Sequence, residues 1–146
     1  MITIKIPNTD ASDYQLALNI RKEVFVLEQN VPAELEVDSF EHSCDHFIIK
    51  NNGEALGAGR LRVKDSYIKF ERIATVARAR GQGVGRNLME KMLEYAQVTY
   101  PQLTPYMHSQ LDAVPFYEKL GWSASGDIFY EAGIPHRAMV FRGHSK

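Results

Sequence analysis

The chain predicts an α+β fold in which a mixed, mostly antiparallel sheet is flanked by helices. Three observations carry that expectation. Residues 46–76 hold successive apolar runs of strand length, with helical periodicity on either side of them. Asn51-Asn52-Gly53 separates two of those runs, a strong short-range hairpin signal. The last run leads into Arg80-Gly81-Gln82-Gly83-Val84-Gly85 and then an amphipathic segment, the outline of strand, tight turn and helix.

In chain order, residues 2–6 (ITIKI) alternate like a short half-buried strand. Ser12 with Gln15 reads as a capping box opening a helix whose Leu16, Ile20 and Val24 share one face. Residues 27–43 are polar and acidic and are broken by Pro32, so an irregular segment or a short second helix is expected. Strands follow at 46–50, 55–63 and 67–76, with a second turn near Lys64–Ser66. After the glycine turn, Val84, Leu88, Met92 and Ala96 form the inward stripe of a helix; Arg86, Asn87, Glu90, Lys91 and Glu94 face solvent. Pro101 and Pro105 bracket a short strand near Leu103–His108, and Ala113–Leu120 reads as a short helix closed by Gly121. Two last strands fit at 122–130 and 137–142, around a loop at Glu131–His136.

Composition limits the function classes. A chain of 146 residues with 45% hydrophobic and 24% charged residues is the size of one domain (1–146). It buries enough surface to hold a core without disulfide or metal. A net charge of -1 with no long basic run argues against a general nucleic-acid binder. No apolar stretch reaches membrane-spanning length, and MITIKIPNTD lacks the marks of a signal peptide. The single cysteine, Cys44, cannot form an intrachain disulfide, which fits a cytoplasmic location.

The glycine turn is the sharpest local feature. Glycines let an anion approach the backbone, and a helix start aims free N–H groups and its positive dipole end at the same spot. A phosphate or pyrophosphate is the natural guest. The turn lacks the Gly-Lys-Ser/Thr ending of a P-loop and the third glycine position of the dinucleotide fingerprint. A plain strand-to-helix connection is the bland alternative.

The motif has company. Arg80-Gly81-Gln82-Gly83-Val84-Gly85 between a long strand and an amphipathic helix resembles the acyl-CoA signature of the GNAT superfamily of N-acetyltransferases. Ala113-Val114-Pro115-Phe116-Tyr117-Glu118-Lys119-Leu120-Gly121-Trp122 resembles that family's second landmark. Two further stretches, Arg21 to Pro32 with Glu36 and Asp38 after it and Ala132-Gly133-Ile134-Pro135-His136, resemble the bacterial ElaA/YjcF-like subgroup.

The resemblance implies a GNAT-like fold with strands splayed at the acyl-CoA site. It implies transfer of an acetyl group from acetyl-CoA to an amine acceptor, expected to be a small molecule, with no metal and with neither nucleic acid nor membrane as partner. By the same resemblance, the backbone amides of Gln82–Arg86 hold the cofactor pyrophosphate, flanked by Arg80 and Arg86, with Gly81, Gly83, Val84 and Gly85 shaping the turn. Main-chain groups of Ile73, Ala74 and Thr75 pair with the pantetheine arm. Tyr117 takes the position of the acid that protonates the departing thiolate, although a tyrosine there can equally be a core residue.

The base is open between Glu71, Glu28, Glu36, Asp38 and His136. Glu71 can instead pair with Arg72 or a cross-strand Arg60 or Arg62, and His136 can simply shape its turn. Phe25, Glu28, Glu36 and Asp38 are expected on the acceptor side, where the acids either attract a cationic amine or form a solvated surface. His42, Cys44 and His46 are metal-ligand residue types, but a strand starting at His46 does not put both histidines on one face. A non-catalytic acyl-CoA-binding module and a phosphate-binding module unrelated to CoA are the rival functions. A homodimer through exposed strands is left open.

Overall fold

The computed structural model describes residues 1–143. Its strands are β1 (Ile2–Ile6), β2 (Asp45–Asn51), β3 (Glu54–Lys64), β4 (Tyr67–Thr75), β5 (Thr104–Gln110), β6 (Trp122–Glu131) and β7 (Ile134–Phe141). The helices are α1 (Ser12–Arg21), α2 (Ala33–Glu36), α3 (Val84–Thr99) and α4 (Val114–Lys119). All seven strands form one sheet in the order β1-β2-β3-β4-β5-β7-β6. Every pairing is antiparallel except β4 with β5, which α3 connects as a crossover. The α+β expectation holds.

The stripe expected on α3 is the one that packs: Val84, Leu88, Met92 and Ala96 are buried, joined by Met89. The helix lies close to β3 because glycine stands under it. A Cβ at Gly59 would come within 2.7 Å of Met92 Sδ, and one at Gly57 within 3.4 Å of Val84 Cγ1. Ile48, Ile49, Leu61, Ile68, Met107 and Met139 complete the centre of the core.

Three local expectations are corrected. No capping box forms on α1: Ala11 is its N-cap, and Gln15 instead bonds Asn19 at 3.1 Å. Leu16 is exposed, because the face that packs carries Ala17, Ile20, Arg21 and Val24, of which the four-residue spacing predicts Ile20 and Val24 alone. His136 lies on β7 and not in a loop, since β6 runs on to Glu131 and only Ala132 and Gly133, both at positive φ, turn the chain.

Two irregularities shape the cleft side of the sheet. From Lys22 to Glu28 the chain continues α1 as a π-helix, with the Gln29 amide bonded to the Val24 carbonyl at 3.1 Å, five residues back. In β4, Ala74 pairs with Ala58 and Glu71 with Arg60, so Arg72 and Ile73 oppose the single residue Gly59 in a bulge. Arg72 takes φ 56°, a left-handed conformation held by bonds from its guanidinium to the Glu36 and Leu35 carbonyls at 3.0 and 3.2 Å.

Candidate active site

β4 and β5 pair only from Tyr67–Thr104 to Phe70–Met107. Beyond that point β4 runs on to Thr75 against β3, while β5 runs on to Gln110 against β7. The two strands therefore part, and a cleft of about 760 Å³ opens between them. Ile73, Ala74 and Thr75 line it on one side and His108, Ser109 and Gln110 on the other. The sheet edge of β4 past Phe70 has no strand partner among the described residues. One of its carbonyls, that of Thr75, accepts a bond from Arg80 Nε at 3.1 Å.

The glycine turn follows directly, with Arg80 in the cleft lining and Gly81–Gly85 outside it. Gly81 and Gly83 take φ of 79° and 83°, a region that costs other residues energy, and Gly83 is the N-cap of α3. The first bond closing that helix runs from the Asn87 amide to the Gly83 carbonyl at 3.0 Å. The amides of Val84, Gly85 and Arg86 have no acceptor within the helix. A Cβ at Gly81 would meet no atom within 4 Å, and one at Gly83 only Met1 Cε at 3.9 Å, so the space over the turn is open. At Gly85 a Cβ would come within 3.4 Å of Phe116 Cζ. The open amides and open space fit an anionic group.

The side chains of the two flanking arginines are engaged elsewhere. Arg80 is clamped by Glu28, with Nη1 2.7 Å from Oε2, and Arg86 bonds Glu90 at 2.8 Å on the exposed face of α3. Tyr117, on α4, is 8% exposed and lines the cleft. Burial pushes its phenol well above the usual range, and its hydroxyl has no hydrogen-bond partner among the described residues.

Glu71 lines the cleft too, but three cations hold it: Arg60 and Arg62 at 3.0 Å and Lys69 at 3.3 Å. Burial raises its pKa, yet the Arg62 hydrogen bond and the neighbouring positive charges outweigh burial and leave it at about 2. A carboxylate that holds protons so weakly is a poor base at neutral pH.

The acidic segment does not stand as a wall of free charge. Glu36 is 4% exposed and grips Arg21 with both oxygens at 2.8 and 2.6 Å. Asp38 bonds Arg60 at 2.7 Å and Arg72 at 3.3 Å, and does not contribute to the cleft lining. Burial opposes its ionisation, but Arg60 prevails and its pKa falls to about 2. Glu41 ties Arg21 to Arg60 in the same network. Of the four expected acceptor-side residues, Phe25, Glu28 and Glu36 line the cleft, and Glu28 is paired with Arg80. His42 and His46 are separately engaged, with the Thr9 hydroxyl and the Glu41 carbonyl, each at 2.8 Å.

His136 lines the cleft at 8% exposure, and its Nδ1 donates to the Ile134 carbonyl at 2.7 Å. Beside it stand residues that sequence reasoning missed. His108 bonds Glu131 at 2.6 Å and Tyr106 at 3.0 Å. Gln110 joins Gln29 across the cleft at 2.8 Å. Their one trace in the sequence is the alternation Tyr106, His108, Gln110 on one face of a strand.

A sheet whose central parallel strands splay beside a glycine-capped helix defines a GNAT-like acyl-CoA N-acyltransferase fold. The family model of the acetyltransferase (GNAT) domain matches residues 8–142, and the chain belongs to that family. It is 43% identical over 125 residues to a Bacillus subtilis (strain 168) protein described as the uncharacterized N-acetyltransferase YjcF, covering 85% of this chain and 89% of that one. Among solved structures it is similar to an acyl-CoA N-acyltransferase from Pseudomonas aeruginosa, with TM-score 0.85 and 28% identity over 97% of this chain and 99% of that one. Escherichia coli ElaA shares the fold at TM-score 0.85 and 24% identity, over 97% of this chain and 100% of its own. Family membership and these relatives support N-acetyltransferase activity in general.

Proposed function

We propose that the protein transfers the acetyl group of acetyl-CoA to the nitrogen of a small-molecule amine by direct attack. The observation that carries this reading is the parting of β4 from β5 at Phe70–Met107, beside a helix start with unpaired amides. The cofactor pyrophosphate lies against the amides of Gln82–Arg86, shaped by the glycine turn. The pantetheine arm runs along the open edge at Ile73–Thr75 like a partial extra strand. A main-chain N–H on that edge polarises the thioester carbonyl and stabilises the oxyanion as the amine attacks.

The nitrogen–carbon bond forms as the carbon–sulfur bond breaks, and the electron pair leaves on sulfur. Tyr117 supplies a proton to that thiolate and is restored by a proton from the acylated nitrogen. A second proton must already have left the ammonium, so one proton is released for each acetamide and free thiol formed. Glu71 serves this site as an ion-pair anchor and not as the proton acceptor, a role left to one of the two histidines that line the cleft. Phe25 and the Glu28–Arg80 pair border the acceptor.

The test is release of the CoA thiol with a panel of amines, beside calorimetric binding of acetyl-CoA. Transfer to at least one amine is expected. Tight binding with no transfer to any amine marks a non-catalytic acyl-CoA-binding module instead, and no binding at all removes the cofactor assignment.

A further inference from the structure

His108 stands on β5 just past the point where that strand leaves β4, and it lines the same cleft as Tyr117. Both of its ring nitrogens are engaged. Nδ1 lies 2.6 Å from Glu131 Oε1, and Nε2 lies 3.0 Å from the Tyr106 hydroxyl. An ionised carboxylate only accepts, so Nδ1 carries the hydrogen and Nε2 of the neutral ring carries the lone pair, to which Tyr106 donates. The bond from His108 holds Glu131 below the usual carboxylate range, so Glu131 stays ionised at neutral pH.

The groups facing this pair come from three strands: Lys69 on β4, Tyr106 on β5 and His136 on β7. Phe129 packs edge-on against the His108 ring at 4.8 Å and stacks on His136 at 5.9 Å. Three carboxylates of the cleft are already committed to cations: Glu71 to Arg60, Arg62 and Lys69, Glu36 to Arg21, and Glu28 to Arg80; Asp112, also in the lining, has neither a cation nor a histidine against it among the described residues. His136 lines the cleft too, but the one side-chain bond it makes among the described residues is from Nδ1 to a neutral carbonyl. Of the two histidines that line the cleft, His108 alone among the described residues has a carboxylate in direct contact to offset the charge that a proton brings.

We propose that His108 takes the proton that the acceptor's ammonium must lose before attack, and that Glu131 is its positioning residue. This rests on the acetyltransferase reading above. An N–H bond of the ammonium breaks, and its electron pair stays on nitrogen as the nucleophile's lone pair. The Tyr106 hydroxyl gives up its bond to Nε2, the freed lone pair takes the proton, and the imidazolium is held by Glu131. The half-open position of His108, whose side chain is 21% exposed, lets the proton pass on to solvent.

The experiment measures kcat/KM against pH for the wild type, His108→Gln, His136→Gln, Glu131→Gln and Glu131→Asp, with acetyl-CoA affinity measured alongside. His108→Gln is expected to lose about 100-fold at pH 7, within the range for general-base loss, with cofactor affinity kept. Its deficit narrows as pH rises, because more acceptor is already neutral. Glu131→Gln loses about tenfold, Glu131→Asp recovers part of that, and His136→Gln loses less than either. A His108→Gln rate within about threefold of wild type, a deficit constant at every pH, or a loss confined to His136→Gln overturns the assignment. Active wild type with unaffected His108→Gln removes this assignment alone; a wild type that releases no thiol with any amine removes the acetyltransferase reading and this assignment with it.

Discussion

Replacing Glu71 with glutamine separates an ion-pair anchor from a catalytic base. The carboxylate touches Arg60, Arg62 and Lys69, and its pKa falls from 4.5 to about 2. Each tenfold change in proton affinity is worth about 1.4 kcal/mol, so the ionised form contributes about 3 kcal/mol to the fold. Breaking a buried ion pair from one side costs about 3–5 kcal/mol, which agrees. Because the folded pKa is depressed, the contribution is present above pH 4.5 and is lost as pH falls toward 2. Urea unfolding of Glu71→Gln at pH 7 should show a loss of about 3 kcal/mol, or roughly 10 °C in Tm. The gap between the two proteins should close in acid. Below the variant's Tm, kcat should stay within about threefold of wild type. A variant as stable as wild type at pH 7 that loses more than about tenfold in kcat would refute this reasoning and return Glu71 to the base role.

Tyr117→Phe should lower kcat by more than about tenfold with acetyl-CoA affinity unchanged; a calorimetric titration beside the rate assay checks both halves. Gly83→Val forces a branched side chain into φ 83° at the cap of α3, so acetyl-CoA should no longer raise the melting temperature; an undiminished shift contradicts the pyrophosphate placement. Gly57→Ala sets a methyl within 2.9 Å of the Ala74 carbonyl, where no side chain can swing away. It should cost about 1–3 kcal/mol in urea unfolding and weaken acetyl-CoA binding along the same strand.

Elements with local signals are legible in the sequence. The Asn-Gly hairpin, the long β4 run, the glycine turn and the stripe of α3 each arise from neighbours within a few residues. The residues proposed to hold the cofactor fall in one continuous stretch, Ile73–Arg86, so the resemblance that suggests them is carried by local sequence. The π-helical Lys22–Glu28 is not, because its i to i−5 bonds leave no distinct apolar period. Leu16 misleads because four-residue spacing fits several helix faces, and packing against β2 and β3 selects the one bearing Ala17 and Arg21.

The chemistry of the proposed acceptor side belongs to the folded chain. Glu71, Glu36 and Asp38 are acids in the sequence, and whether they attract an amine or brace the fold depends on cations up to 36 residues away that only folding brings near. Glu131 and His108 are likewise 23 residues apart, joined because β7 inserts between β5 and β6 in the sheet. Fold class and the glycine-capped helix are written in short stretches of chain, since they follow from local periodicity and backbone freedom, and the acyl-CoA expectation rests on the resemblance of those stretches to a family. Which carboxylates are spent in ion pairs, and which histidine has one to spare, is set in three dimensions, because charge pairing falls off over a few ångströms and is blind to distance along the chain.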